Sequence, residues 1–116
     1  MIGVSVVITT HNRTRVAQET IKFMVRNFRY KNVKWIISDD RSDPGHIESL
    51  IETFKECGVE NVTVCRTDSK RYGLGASLNN GLREAFKFSD IVLTMEDDWI
   101  LEKPFNPAYY IKYLHE

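Results

Sequence analysis

The residues best equipped for chemistry in this chain are three consecutive carboxylates, Glu96-Asp97-Asp98, which close the apolar run Ile91-Val92-Leu93-Thr94-Met95. Three adjacent negative charges repel one another, so the cluster is costly unless water or a cation relieves it. Hard oxygen ligands on a rigid strand end suit Mg²⁺ or Mn²⁺, above all where a substrate phosphate completes the coordination. A solvated acidic turn would look the same in this stretch alone, so the other polar residues must decide.

They collect in the same way behind three further apolar runs. Thr9-Thr10-His11-Asn12-Arg13 follows the first, Asp39-Asp40 the second and Arg66-Thr67-Asp68 the third. Gly73-Leu74-Gly75 before a helical stretch hints at a phosphate cradle. It lacks a correctly spaced third glycine and any Gly-Lys-Ser/Thr, so it is neither a dinucleotide fingerprint nor a P-loop. The first loop has no glycine, which argues against a nicotinamide or flavin site. Bland roles exist for each residue: Asp39 and Asp40 as turn formers, Asp43 as a helix cap, His11 as a loop hydrogen-bonder, Arg66 and Arg71 as solvated charges. Cys57 and Cys65 form neither a disulfide framework nor a zinc pattern; they suit packing in a reducing compartment, hence a cytoplasmic location.

The elements that must position these residues follow from the apolar spacing. Val4 to Thr9, Val33 to Ser38, Val62 to Cys65 and Ile91 to Met95 read as strands. A helix after Arg13, capped by Asn12 or Thr14, carries Val16, Thr20 or Ile21, Met24, Val25 and Phe28. A second, with Asp43 as cap and Pro44 in its first turn, carries Ile47, Leu50, Ile51 and Phe54. The third runs from Gly73 to Phe88 with Leu74, Leu78, Leu82, Ala85 and Phe86 facing inward. Asn106 and Pro107 open a last helix with Tyr110, Ile111 and Leu114.

Strands alternating with helices predict an α/β fold: a three-layer α/β/α sandwich whose mainly parallel sheet has the order 3-2-1-4. In such a sheet ligands bind beyond the carboxyl ends of the strands. Parallel strands bring all four polar sets to that one edge, and solubility alone does not require such segregation. The 116 residues make one domain, 1–116, with 42% hydrophobic and 28% charged residues. Sixteen basic and sixteen acidic residues balance, so no nucleic acid partner is implied. No apolar run approaches the ~20 residues of a membrane span, and the N-terminus does not read as a signal peptide.

Four segments carry a resemblance. Val4-Ser5-Val6-Val7-Ile8-Thr9-Thr10-His11-Asn12-Arg13 resembles the opening strand and loop of family 2 glycosyltransferases of the GT-A fold. Ile36-Ile37-Ser38-Asp39-Asp40-Arg41-Ser42-Asp43 resembles their second strand and Asp-Asp-x-Ser turn. Arg71-Tyr72-Gly73-Leu74-Gly75-Ala76-Ser77-Leu78-Asn79-Asn80-Gly81 resembles their Gly-rich helix start, and Glu96-Asp97-Asp98 a variant of their DxD-type metal motif.

The resemblance implies a site for a nucleoside-diphosphate sugar, UDP-linked by expectation, with Mn²⁺ or Mg²⁺ as cofactor and an unknown acceptor. Thr9, Thr10, His11, Asn12, Arg13, Asp39, Asp40, Arg71, Gly73 and Asp97 would contact substrate; Asp98 and Glu96 would hold the metal. Asp40 would accept a hydrogen bond from the base, Arg71 would lie near base or diphosphate, and Asp97 would face ribose or sugar. Two departures stand out. Leu78 replaces an Arg common before the helix Asn, and the chain stops at Glu116, before the strands that in the family build the acceptor site and supply the catalytic base. The base is therefore expected outside this chain. Residues 105 to 116 and an open fourth-strand edge would favour self-association or a partner polypeptide. Two other functions fit the acids at the strand ends: a nucleotide-sugar binding module without transfer, and a metal-dependent nucleotidyltransferase. The latter normally carries a Gly-rich, basic triphosphate loop after the first strand, absent here.

Overall fold

Strand parity sorts the chain into two unlike layers. β1 (Val4–Thr10) and β2 (Val33–Asp39) are buried along nearly their whole length, as strands covered on both faces must be. Successive side chains leave a strand on opposite sides. Val4, Val6, Ile8, Trp35 and Ile37 accordingly join one apolar cluster, while Val7 and Ile36 join a second. β3 (Val62–Arg66) and β4 (Ile91–Glu96) flank this pair in an all-parallel sheet of order β3-β2-β1-β4. The computed structural model describes residues 1–114, and over them the expected three-layer sandwich and strand order are the observed ones.

α1 (Thr14–Asn27) and α2 (His46–Glu56) cover the first face, burying Ala17, Ile21, Met24, Ile47, Leu50 and Phe54. α3 (Leu74–Phe88) is the one helix among the described residues that covers the other face, and it departs from expectation. Its spacing predicts Leu74 and Phe86 inward, yet each is 58% exposed, and the buried stripe is Ser77, Gly81 and Ala85. The helix lies too close to the sheet for large side chains. A Cβ at Gly81 would stand 2.5 Å from Val7 Cγ1, and Ser77 Oγ donates to the Ser38 carbonyl at 3.0 Å while Ser38 Oγ donates back to the Ser77 carbonyl. On α1, likewise, Ala17 is buried and Val16 is exposed.

The expected caps of α1 and α2 are also absent. Arg13 and Gly45 hold the N-cap positions in left-handed conformation, with no side-chain cap bond. Asn12 is used differently: its N–H donates to Ser42 Oγ at 2.7 Å and its Oδ1 accepts the Asp43 N–H at 2.8 Å. The two loops interlock, which removes Asn12 and Asp43 from capping. Asn106 does cap α4 (Ala108–Leu114), accepting the Ala108 N–H at 2.9 Å. The segment before α4 folds back onto the end of α1: the Phe105 N–H donates to the Asn27 carbonyl and its carbonyl accepts from Arg29, both at 2.7 Å. Ile111 is buried, whereas Tyr110 and Leu114 remain exposed. β4 pairs only with β1 among the described residues, leaving its outer edge free. Among these residues no helix is long and apolar enough to cross a membrane.

Candidate functional site

The same parity gives neighbouring carboxylates different work. Thr10, Asp39 and Asp97 follow the odd–even phase that faces α1 and α2; Thr9, Asp40 and Glu96 follow the phase that faces α3. Asp97 is 1% exposed. Its Oδ2 accepts the Thr10 hydroxyl at 2.8 Å, its Oδ1 accepts from the Arg13 guanidinium, and its carbonyl accepts the Thr20 hydroxyl at 2.6 Å.

The Thr10 proton is spent on Asp97, so His46 Nε2, 2.8 Å from Thr10 Oγ1, must be the donor there. His46 Nδ1 then accepts the Thr14 hydroxyl at 2.8 Å. Burial pushes the His46 imidazole below its ordinary pKa, although Asp39 and Asp97 pull the other way, and the neutral ring matches this bonding. Thr14, His46, Thr10 and Asp97 thus form one directed chain that ties the starts of α1 and α2 to the ends of β1 and β4. His46 was not a sequence candidate. Its signal was its place four residues before Leu50, on the buried stripe of α2.

Asp39 turns inward: Oδ2 accepts the Ser42 N–H at 3.0 Å and Oδ1 accepts the Ser42 hydroxyl, which fixes the turn after β2. Asp40 faces the cleft. Its Oδ1 accepts the Thr67 hydroxyl at 2.8 Å and the Gly73 N–H at 2.9 Å, with Arg41 Nε 3.5 Å away. Burial alone would raise this carboxyl's pKa; the Gly73 N–H, Thr67, Arg41 and His11 outweigh it, and the net shift is downward. Among the described residues no hydrogen bond reaches Oδ2. His11 Nδ1 donates to the Asp40 carbonyl, so in the neutral ring Nε2 keeps its lone pair.

An open depression of about 200 Å³ unites much of this set. Thr9, Thr10, His11, Arg13, Asp40, Glu96 and Asp97 line it together with Leu74 and Ser77. Leu74 and Ser77 were not candidates; being apolar and small, they gave no chemical signal. Arg71 lies elsewhere, lining a separate depression with Tyr72, Asn79 and Arg83. Gly73 (φ 97°) contributes its backbone N–H to Asp40, and Asn12 pins the loops. Asp98 is largely open to solvent, 3.5 Å from Arg13 Nη1.

Residues 5–105 match the sequence profile of Glycosyl transferase family 2. The chain belongs to this family. No curated protein sequence matches it. Among solved structures, the mannosyltransferase PcManGT from Pyrobaculum calidifontis, in complex with GDP-Man and Mn²⁺, shares the fold with a TM-score of 0.79 at 20% identity. The match covers 97% of this chain and 32% of that one, so this chain spans about a third of that structure's length.

In this family 2 chain the carboxylates at the end of β4 differ in what they can offer a metal. Both Asp97 oxygens are engaged, while Glu96 and Asp98 are exposed. Among the described residues no group of three His, Cys, Asp or Glu side chains could hold a metal by itself. Mg²⁺ and similar hard cations keep several waters and bind through one or two carboxylates plus substrate phosphates. The residues present fit that mode and do not form an all-protein cage.

Proposed function

We propose that this chain is the donor-binding part of a glycosyltransferase that takes a nucleoside-diphosphate sugar, UDP-linked, with Mn²⁺ or Mg²⁺. The observation that carries this reading is the cleft at the carboxyl edge of the sheet, whose lining brings together Asp40, Arg13, Glu96 and Asp97. Asp40 offers one open oxygen, Oδ2, because Oδ1 already receives Thr67 and Gly73. A single acceptor matches the one imide N–H of uracil; the two adjacent donors of guanine would need both oxygens. The Arg13 guanidinium, held to Asp97 through Nη2, has Nη1 to offer a diphosphate as a charged donor. When bound, a divalent cation supplies charge neutralisation for the departing diphosphate, and Asp98 with Glu96 would hold it. The mannosyltransferase complex with GDP-Man and Mn²⁺ supports a nucleotide-sugar and metal site on this fold.

Calorimetry with UDP and GDP, with Mn²⁺ or with chelator, tests the reading. UDP is expected to bind more tightly with Mn²⁺, and Asp98→Ala to remove that dependence while the circular dichroism stays unchanged. Asp40→Asn should weaken UDP by the roughly 1.5–3 kcal/mol of a hydrogen bond to a charged group. Equal binding in chelator, shared by the Asp98 variant, would overturn the metal assignment. Tighter binding of GDP than of UDP would overturn the base assignment alone.

A further inference from the structure

Arg13 bridges two adjacent carboxylates at the end of β4. Its Nη2 donates to Asp97 Oδ1, and its Nη1 lies 3.5 Å from Asp98 Oδ2. We propose that Arg13 is the resident counter-ion of this carboxylate pair, and that it must release Asp98 before a divalent cation binds there. The metal would then enter together with the diphosphate and not ahead of it. The proposal rests on the donor-site reading above.

The two carboxylates hold Arg13 unequally. The Asp97 side chain is 2% exposed and the Asp98 side chain 44%. A buried carboxylate cannot be left without its partner, whereas a half-solvated one exchanges partners at little cost. Asp98 is therefore the weak end of the fork. A divalent cation arriving alone at Asp98 would sit beside a guanidinium of like charge, with only exposed carboxylates to attract it. A diphosphate changes the balance: it brings negative charge to the metal, and its oxygens offer Nη1 a charged acceptor in exchange for Asp98.

The backbone supports a side-chain swing without loop movement. Asn12 and Arg13 are both left-handed (φ 49° and 54°), and Asn12 is tied to Ser42 and Asp43. The Arg13 side chain itself is 53% exposed and has room to turn.

Electron paramagnetic resonance of free aqueous Mn²⁺, read with the full chain as wild type, Arg13→Gln and Arg13→Lys, tests this without any turnover. Wild type should leave Mn²⁺ alone mostly free and bind it once UDP is added. Arg13→Gln keeps an N–H for Asp97 and should bind Mn²⁺ alone more tightly by roughly fivefold or more, the scale of a partly exposed ion pair. It should also gain less from UDP. Arg13→Lys, a point charge unable to span both carboxylates, should lie between, and it decides the matter if the Gln variant does not fold. Unchanged or weaker binding of Mn²⁺ alone in the folded variants would overturn the role of Arg13 while leaving the donor site standing. So would wild type binding Mn²⁺ equally well with and without UDP. Failure of every variant to bind Mn²⁺ with UDP or with GDP would instead overturn the donor-site reading, and this proposal with it.

Discussion

The two faces of the sheet are built from the same strands by opposite means. Towards α1 and α2 the strands present Val4, Val6, Ile8, Trp35 and Ile37, met by Ile21, Met24, Leu50 and Phe54. Towards α3 they present Ser5, Val7, Ile36 and Ser38, met by Ser77, Gly81, Ala85 and Ser89; Ser5 Oγ, for example, accepts or donates at 2.8 Å to Ser89 Oγ. The first face gains its stability from buried apolar volume. The second buries little volume and instead sets a distance, holding α3 close enough for the Gly73 N–H just before it to reach Asp40 at 2.9 Å. Volume holds the domain together on one side, and close approach shapes the cleft on the other.

Three measurements would break or sharpen that contrast. Phe54 is fully buried against Trp35, with ring centroids 5.7 Å apart. Phe54→Ala should cost about 3–5 kcal/mol in urea unfolding, with no specific effect on the cleft. Gly81→Ala would normally favour a helix by about 0.5–1 kcal/mol. Here the new Cβ meets Val7 Cγ1 at 2.5 Å and Ser38 Cβ at 3.3 Å, so a loss of about 1–3 kcal/mol is expected. Val7→Ala in the same chain should recover part of it in a double-mutant cycle; a stabilised Gly81→Ala would show that α3 is not held at contact distance.

The smallest effect concerns His46, a titratable group on the apolar side. Its folded pKa is lowered from 6.5. The unfolded chain therefore binds more protons as pH falls below about 6.5, and the stability present above that pH is lost on the way down through the folded value. Unfolding midpoints should fall between pH 7 and 5 in wild type and stay flatter in His46→Gln. The lowered carboxyl of Asp40 acts in the same direction but at lower pH, in and below the ordinary carboxylate range. A wild-type midpoint independent of pH across that window would show that burial of His46 is not sensed as charge.

Much of this was legible in the residues. Apolar runs and helical spacing located the four strands, and alternation with helices predicted their parallel order. The polar sets at the strand ends pointed to one edge of the sheet, where several of them line a single depression. What spacing could not supply was register across elements. Asp39 and Asp40 look alike in sequence, and only parity against β1 and α3 makes one a turn brace and the other a cleft acceptor. The caps failed for a related reason: Asn12 finds its partners 30 and 31 residues away, in Ser42 and Asp43. On α3 the large residues drew attention, whereas the informative pattern was the four-residue spacing of Ser77, Gly81 and Ala85. His46 was hidden because a lone histidine at a helix start carries no motif.

The position of β4 has a kinetic side. Asp40 follows a strand bonded to neighbours on both sides, while Glu96 ends, and Asp97 and Asp98 follow, a strand that among the described residues is bonded to β1 alone. Local openings concentrate where fewer neighbours must be released. Within the described residues the amide protons of β4 are therefore expected to exchange with solvent sooner than those of β1 and β2, a difference that hydrogen exchange would read. Binding across the cleft would quiet the acidic side more than the base side, so that the order gained on occupancy is distributed as unevenly as the strands themselves.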